Sequence, residues 1–281
     1  MNIQTIIDQV DEFPTLPTIY STLIDIMSNP RSSVNDVASV IEKDQASAVK
    51  VLKAVNSSIY GLQVRVSSIS QAIFHIGFNE VKNLLITLAL IKMFEKTKSN
   101  NSFNVVDFWK HSIAVGVISR ILGQVIGVKK LEDFFISGIV HDIGKLFFLN
   151  FFNEAYTNTI DIVFEQNLSL RQSELKLHGV SHNIVGELLA AKWKLPDPIR
   201  NAIKFHNSGA VNGKYDPLVA CVHVADIVAR FMKLGNPGDN IIPQPYFDVW
   251  NEMKIPNNTF VGLIPKIMSD YNQSTSILIL K

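Results

Sequence analysis

Apolar residues recur along this chain at steps of three and four, the period of an amphipathic helix, and strand-like alternation is scarce. Asn35-Asp36 can cap a helix that carries Val37, Val40 and Ile41 on one face. Ser47 to Val55 reads as a second helix that stops near Asn56-Ser57-Ser58, before a short loop with Tyr60-Gly61. Ser68 to Phe74 reads as another, and Asn79 can cap a longer one through Phe94. Val106 to Ile126 predicts a long helix closed by Gly127, a suitable left-handed C-terminal cap. Leu131 to Phe152 is strongly apolar. Ser181 can cap Asn183 to Trp193, which Pro196 terminates, and Pro198 can open a helix ending near His206, with Asn207-Ser208-Gly209 as its stop. Asp216-Pro217 places a cap and a first-turn proline before Leu218 to Leu234. The tail from Pro243 to Lys281 reads as helices with loops, and no repeat of fixed period is visible.

The pattern predicts an all-α protein. The polar stretch 96–104, KTKSNNSFN, is the best candidate for a boundary. It predicts two packed helical subdomains, 1–97 and 98–235, with a helical and looped tail over 236–281.

Composition narrows the class. Hydrophobic residues make up 47% and charged ones 18%, the opposite of the balance that disorder needs. A net charge of +1 gives no footprint for nucleic acid or an anionic membrane, and no DNA-binding motif is visible. The single cysteine, Cys221, excludes a disulfide within the chain and fits a reducing cytoplasm. The N-terminus MNIQTIIDQVDEF lacks the long apolar run of a signal peptide. The longest apolar run, Leu84 to Ile91 with Thr87 interrupting it, is too short to span a bilayer. The expectation is a cytoplasmic protein without a membrane partner.

Candidate chemistry sits in GIVHDIGKLFF, where His141, Asp142 and Lys145 interrupt an apolar stretch and share a helix face. A buried charge is costly unless it is paired or bound to metal. An Asp142–Lys145 ion pair would satisfy that requirement alone. The other histidines, His75, His111, His178, His182, His206 and His223, widen the choice. Imidazole with carboxylate suits a divalent transition metal such as iron, manganese, nickel, cobalt or zinc. His111, on the apolar FWKHSIAVGVISRIL, reads by itself as a core residue, and so does His75 in IFHIGF. Asp226 is an acid on LVACVHVADIVARF with His223 one turn before it, which a structural hydrogen bond would also explain. His182, in the first turn of its helix, can face an anion, and His206 closes the next helix; each reads equally as a polar surface cap. Spacing permits a His/Asp metal cluster and does not assemble it.

The order of these residues resembles the HD superfamily of metal-dependent phosphohydrolases: a histidine on one helix, an adjacent His-Asp on the next, an aspartate on a later one. His111, His141, Asp142 and Asp226 match that order, and the resemblance makes them the core metal ligands. The chain is more closely similar to the HDOD branch. The match lies in FPTLPTIYSTLIDIM, in DQASAVKVLKAVNSSIYGLQVRVSSISQAIFHIGFNEVKNLLI, in HDIGKL and in SHNIVGELLAAKWKLPDPIRNAIKFH, and covers roughly residues 12 to 232. It implies an HD-type helical bundle in the C-terminal subdomain. Set against the related HD-GYP phosphodiesterases, which cleave cyclic-di-GMP, Lys145, His182 and His206 match active-site positions. By that resemblance His182 and His206 are further metal ligands or substrate contacts, and Lys145 touches phosphate. The chain departs from that group in having His206-Asn207 for a His-His pair, and NSGAVNGKYDP in place of the Gly-Tyr-Pro segment.

The resemblance implies first a bacterial signal-transduction module, regulatory or output, with a metal site and a signalling protein as partner, the N-terminal helical half being the interaction surface. The second implied reading is a metal-dependent phosphohydrolase acting on a nucleotide, cyclic dinucleotide or other phosphoester. Asp142 and Lys145 would then be its catalytic residues, and Lys145, His182 and His206 would bind substrate. A scaffold with a degenerate site is the third.

Overall fold

A computed structural model of the chain describes residues 3–28, 31–99, 102–166, 168–244, 246–256 and 258–279. Asn100 and Asn101, at the centre of the expected boundary, lie outside the described residues, as do the first two and last two residues of the chain. The described residues form helices α1 (Ile3–Glu12), α2 (Thr18–Ser28), α3 (Val34–Glu42), α4 (Gln45–Val55), α5 (Ile69–Ile76) and α6 (Phe78–Met93). There follow α7 (Val105–Val125), α8 (Glu132–Val140), α9 (Ile143–Phe151), α10 (Asn153–Gln166), α11 (Leu170–His178), α12 (His182–Lys192) and α13 (Asp197–Phe205). A hairpin of β1 (Ala210–Val211) and β2 (Lys214–Tyr215) precedes α14 (Pro217–Phe231), α15 (Phe247–Met253) and α16 (Thr259–Leu278). The protein is all-α apart from that hairpin.

The chain divides into two compact units, and neither is continuous in sequence. The larger comprises Met1–Thr15 with Lys96–Leu263, and the smaller Leu16–Glu95 with Ile264–Lys281. The division after Glu95 falls beside the polar stretch, while both ends of the chain exchange partners relative to the subdomains the sequence suggests.

In the smaller unit, side-chain caps set the helix starts. Ser33 and Asp36 form a reciprocal capping box, so α3 begins at Val34, ahead of Asn35-Asp36. Asp44 accepts from the Ser47 N–H and starts α4. Asn79 is not a cap: α6 begins at Phe78, after Gly77 at φ +84°. Asn56 closes α4 and brackets the next segment, donating to the Val66 carbonyl and accepting from the Val66 N–H, each at 2.8 Å. His75 is not core. It is exposed at the end of α5, edge-on to the ring of Phe74, itself 83% exposed.

In the larger unit, α7, α8 and α14 pack together around apolar side chains such as Ile113, Ile118, Ile136, Ile139 and Val222, all fully buried. The N-terminal segment is anchored there by Phe13, whose ring meets those of Phe147, Phe151 and Trp193 at 5.5–6.0 Å between centroids. Trp193 Nε1 also donates to the Pro14 carbonyl. The apolar stretch expected over Leu131 to Phe152 is two helices, broken at His141-Asp142. By length and composition Glu132–Phe151 could cross a membrane, but 89% of it is buried in the fold, as in a core helix. Asn212 and Gly213 take φ +50° and +76° in the hairpin turn, as a two-residue Asn-Gly turn requires.

Candidate metal centre

Two close helix crossings bring the histidines and aspartates of the larger unit together. Where α7 meets α8, a Cβ on Gly138 would lie 2.4 Å from the Gly116 nitrogen, so only paired glycines let these backbones touch. That contact places His111, mid-way along α7, beside His141 at the end of α8, with 5.6 Å between ring centroids. Where α9 meets α12, a Cβ on Gly144 would lie 2.0 Å from the His182 carbonyl oxygen. The first turn of α12 thereby faces Asp142, which is the N-cap position of α9.

All six expected ligands converge. His111 Nε2 lies 2.9 Å from Asp226 Oδ1, and His141 Nε2 lies 3.3 Å from Asp142 Oδ2 and 4.0 Å from Asp226 Oδ1. His182 Nε2 and His206 Nε2 lie 3.0 and 3.5 Å from Asp142 Oδ1. Ligand atoms of His111, His141 and Asp226 all fall within 4.8 Å of one another, and so do those of His141, Asp142 and His206.

The orientation of these atoms is as informative as their spacing. His111 Nε2, His141 Nε2, His182 Nε2 and Asp142 Oδ1 are buried without a hydrogen-bond partner, despite their short separations. Close spacing without hydrogen-bonding geometry leaves each of these atoms open to another partner. An orphaned buried polar atom costs on the order of 1–3 kcal/mol, and four at one point ask for a shared partner. The far side of three of the rings is already engaged. His141 Nδ1 donates to the Gly138 carbonyl at 2.7 Å, His206 Nδ1 to the Ile203 carbonyl at 2.8 Å, and His182 Nδ1 faces Glu174 at 2.6 Å. Because carbonyls only accept, Nδ1 carries a proton in His141 and His206, which leaves Nε2 as the atom turned to the cluster. This donor set fits a divalent transition metal.

Electrostatics prepare the same groups. Burial acts to raise the Asp142 carboxyl, but His141, Lys145 and His182 outweigh it and hold it well below the usual carboxylate range. Burial likewise opposes ionisation of Asp226, and Arg230, His111 and His141 overcome it. Burial, reinforced by His141, pushes His206 well below its ordinary value, so its imidazole is neutral. Burial lowers His111 against the pull of Asp226. His182 is raised: burial acts downward, but Glu174 and Asp142 prevail.

Lys145 reaches the cluster, but its ammonium donates to Asp142 Oδ2 at 2.6 Å and to the Pro237 carbonyl at 3.0 Å, and the residue is 1% exposed. That geometry orients the carboxylate. His223 and His178 stand apart. His223 Nδ1 donates to the His206 carbonyl, and His178 Nε2 pairs with the Thr159 hydroxyl.

Sequence reasoning missed three supporting groups. Glu174, fully buried on α11, accepts from the His182 backbone N–H at 2.8 Å and from the Tyr156 hydroxyl as well as meeting the ring. Arg230 donates Nε to Asp226 at 2.8 Å and also pairs with Asp239. Asp239 in turn accepts from the Leu170 N–H, the start of α11. An acid four residues before an arginine on one helix was a readable signal for Asp226–Arg230; Glu174 gave none. Carboxylates behind ligating histidines fix their tautomer and raise their basicity. Glu174→Gln is expected to weaken metal affinity roughly 10- to 100-fold, read by competition with a chromogenic chelator. Unchanged affinity would exclude His182 from the ligand set.

Comparison with known proteins bears on the fold and the family. An uncharacterized protein of Treponema pallidum (strain Nichols) is 27% identical over 239 residues, which is 84% of this chain but only 46% of that protein, so the chain spans about half its length. An HDOD domain protein of unknown function from Geobacter sulfurreducens superposes with a TM-score of 0.78 at 22% identity, covering 99% of this chain and 100% of the other. A chain from Shewanella amazonensis SB2B, provisionally named a phosphohydrolase, gives 0.74 at 23% identity, with 97% of each covered. The HDOD domain profile matches residues 13–208. The chain belongs to the HDOD family.

Proposed function

We propose that this chain is a signal-transduction module that holds a divalent transition metal in its larger unit and acts by binding. One observation carries the reading: the donors converge, four of their ligating atoms without a hydrogen-bond partner, yet each residue is closed from solvent. His111, His141 and Asp142 are 0% exposed, His182 and His206 2%, and Asp226 3%. A hydrolytic metal site keeps a position open for water and substrate, whereas an ion that organises a fold is enclosed. His111, His141 and Asp226 hold the ion on one side, and Asp142, His182 and His206 complete the set or take a second ion. When bound, the metal supplies positive charge and Lewis acidity at that point. Lys145 positions Asp142, Glu174 positions His182 and Arg230 positions Asp226.

The phosphohydrolase reading is kept as the second. It is favoured by His182 and His206 standing together at one oxygen of Asp142, with 5.7 Å between their ring centroids, as two groups that face substrate would. Elemental mass spectrometry of untagged protein, purified without added metal, tests both. About one or more transition-metal ions per chain, with no turnover of nitrophenyl phosphates, nucleotides or cyclic dinucleotides, is the expected result. Turnover that disappears with the metal would instead establish the hydrolase. A chain free of metal even after reconstitution with manganese or iron under reducing conditions would exclude the hydrolase and the metal site, leaving a metal-free binding module or the scaffold.

A further inference from the structure

The NSSIYG block that distinguishes this sequence has no part in the metal centre; it lies in the smaller unit, where it builds a groove. The groove has a volume of about 810 Å³. One wall is the face of α4 carrying Val49, Leu52, Lys53 and Asn56, at the three- and four-residue spacing that puts them in line. The second wall is the non-helical segment from Leu62 to Ser67, and the third is Gln273 with Ile277, one turn apart on α16.

These walls are held in place by the NSSIYG residues themselves. Asn56 clamps both backbone groups of Val66, Ser58 N–H donates to Gln273 Oε1 at 2.9 Å, and the Ser58 hydroxyl donates to Asp270, which is 2% exposed. A preformed groove binds without having to order itself first.

Its lining has a definite chemistry. Val49 and Val64 are 50% and 54% exposed, so apolar surface faces solvent on two walls. Lys53 and Arg65 stand among these valines, exposed, and neither is in an ion pair among the described residues. No acidic side chain lines the groove among the described residues. Small-molecule sites enclose most of their ligand; half-exposed walls suit a length of polypeptide instead.

We infer that this groove docks a segment of a partner protein in which acidic side chains alternate with aliphatic ones, the acids pairing with Lys53 and Arg65 and the aliphatics covering Val49 and Val64. The inference rests on the signalling reading only in taking a protein as the partner; it does not depend on the metal.

Random dodecapeptides displayed on phage, selected on the full chain and counter-selected on Lys53→Glu/Arg65→Glu, test it. The expected wild-type-specific peptides carry Asp or Glu beside Val, Ile or Leu. Synthesised with a fluorophore, they bind the charge-reversed chain at least ~10-fold more weakly by anisotropy, and Val64→Asp weakens them likewise. A specific set without acids overturns the inference, as does a set that binds both chains equally or a selection that yields no specific peptide. Displacement of the peptides by millimolar inorganic phosphate would reveal a small-anion site and also overturn it. Metal content measured on the same charge-reversed chain is expected to match wild type. Failure of the groove therefore leaves the metal reading standing, and a metal-free chain that still selects acidic peptides leaves the groove standing.

Discussion

Asp142→Ala is expected to lose its metal to background and to keep its helices. Asp142 faces three of the other expected ligands, His141, His182 and His206. Oδ1 faces His182 and His206, and Oδ2 faces His141 and Lys145. Its removal also strands the Lys145 ammonium, which retains only the Pro237 carbonyl among its described partners. Breaking a buried pair by deleting one member costs about 3–5 kcal/mol. The thermal midpoint should therefore fall well below that of metal-free wild type, while the far-UV circular dichroism at low temperature stays helical. Adding Lys145→Met removes the stranded charge and should recover most of the stability without recovering metal. Metal retained by Asp142→Ala would sink the ligand assignment outright.

Gly144→Ala should be more damaging than its single methyl suggests. The new Cβ would meet the His182 carbonyl oxygen at 2.0 Å, the His182 carbonyl carbon at 2.8 Å and the Gly186 nitrogen at 2.9 Å. All three are backbone, so no side chain can swing aside, and α9 and α12 must separate. Overpacking costs about 1–3 kcal/mol and occasionally more, and a clash confined to backbone belongs at the upper end. Separation also draws Asp142 away from His182, so metal affinity should fall together with stability. Gly262→Ala is the matched control. It lies in α16 with nothing within 4 Å of its Cβ, and alanine there should be neutral or stabilising by up to about 1 kcal/mol. Equal midpoints for the two variants would mean that α9 and α12 do not touch at Gly144.

The site was legible where polar residues interrupt apolar helices. His111, His141, Asp142 and Asp226 stand out because their neighbours on α7, α8, α9 and α14 are almost all buried and apolar. Glu174 is equally buried and equally engaged, but its helix, LRQSELKLH, is mostly polar, and one acid among such neighbours has no contrast to reveal it. The same lack of contrast hid the break between α8 and α9: with both helices buried on every side, the apolar run gives no period. The hairpin was missed for another reason. Asn212-Gly213 was a usable turn signal, but strands of two residues carry no alternation to go with it. His75 was misread because IFHIGF is apolar in composition, while Phe74 and His75 occupy the outward face of a short helix. No local pattern told which core Phe13 would join; that choice is made by rings more than a hundred residues away in sequence.

The interleaving of the two units bears on how the protein is made. Synthesis delivers α1 well before the rest of its unit: the aromatic rings that receive Phe13 belong to α9 and to the end of α12. It delivers α2 to α6 next, yet their unit still awaits the residues from Ile264 onward. Neither core can close before its C-terminal members have been made, and the segments made ahead of them must wait with apolar faces uncovered. Folding is therefore late and largely concerted, with the exposure to aggregation and the need for chaperone cover that such an order brings. Proteolytic or genetic separation at the polar stretch near residue 96 would divide both cores at once, and neither half should fold alone.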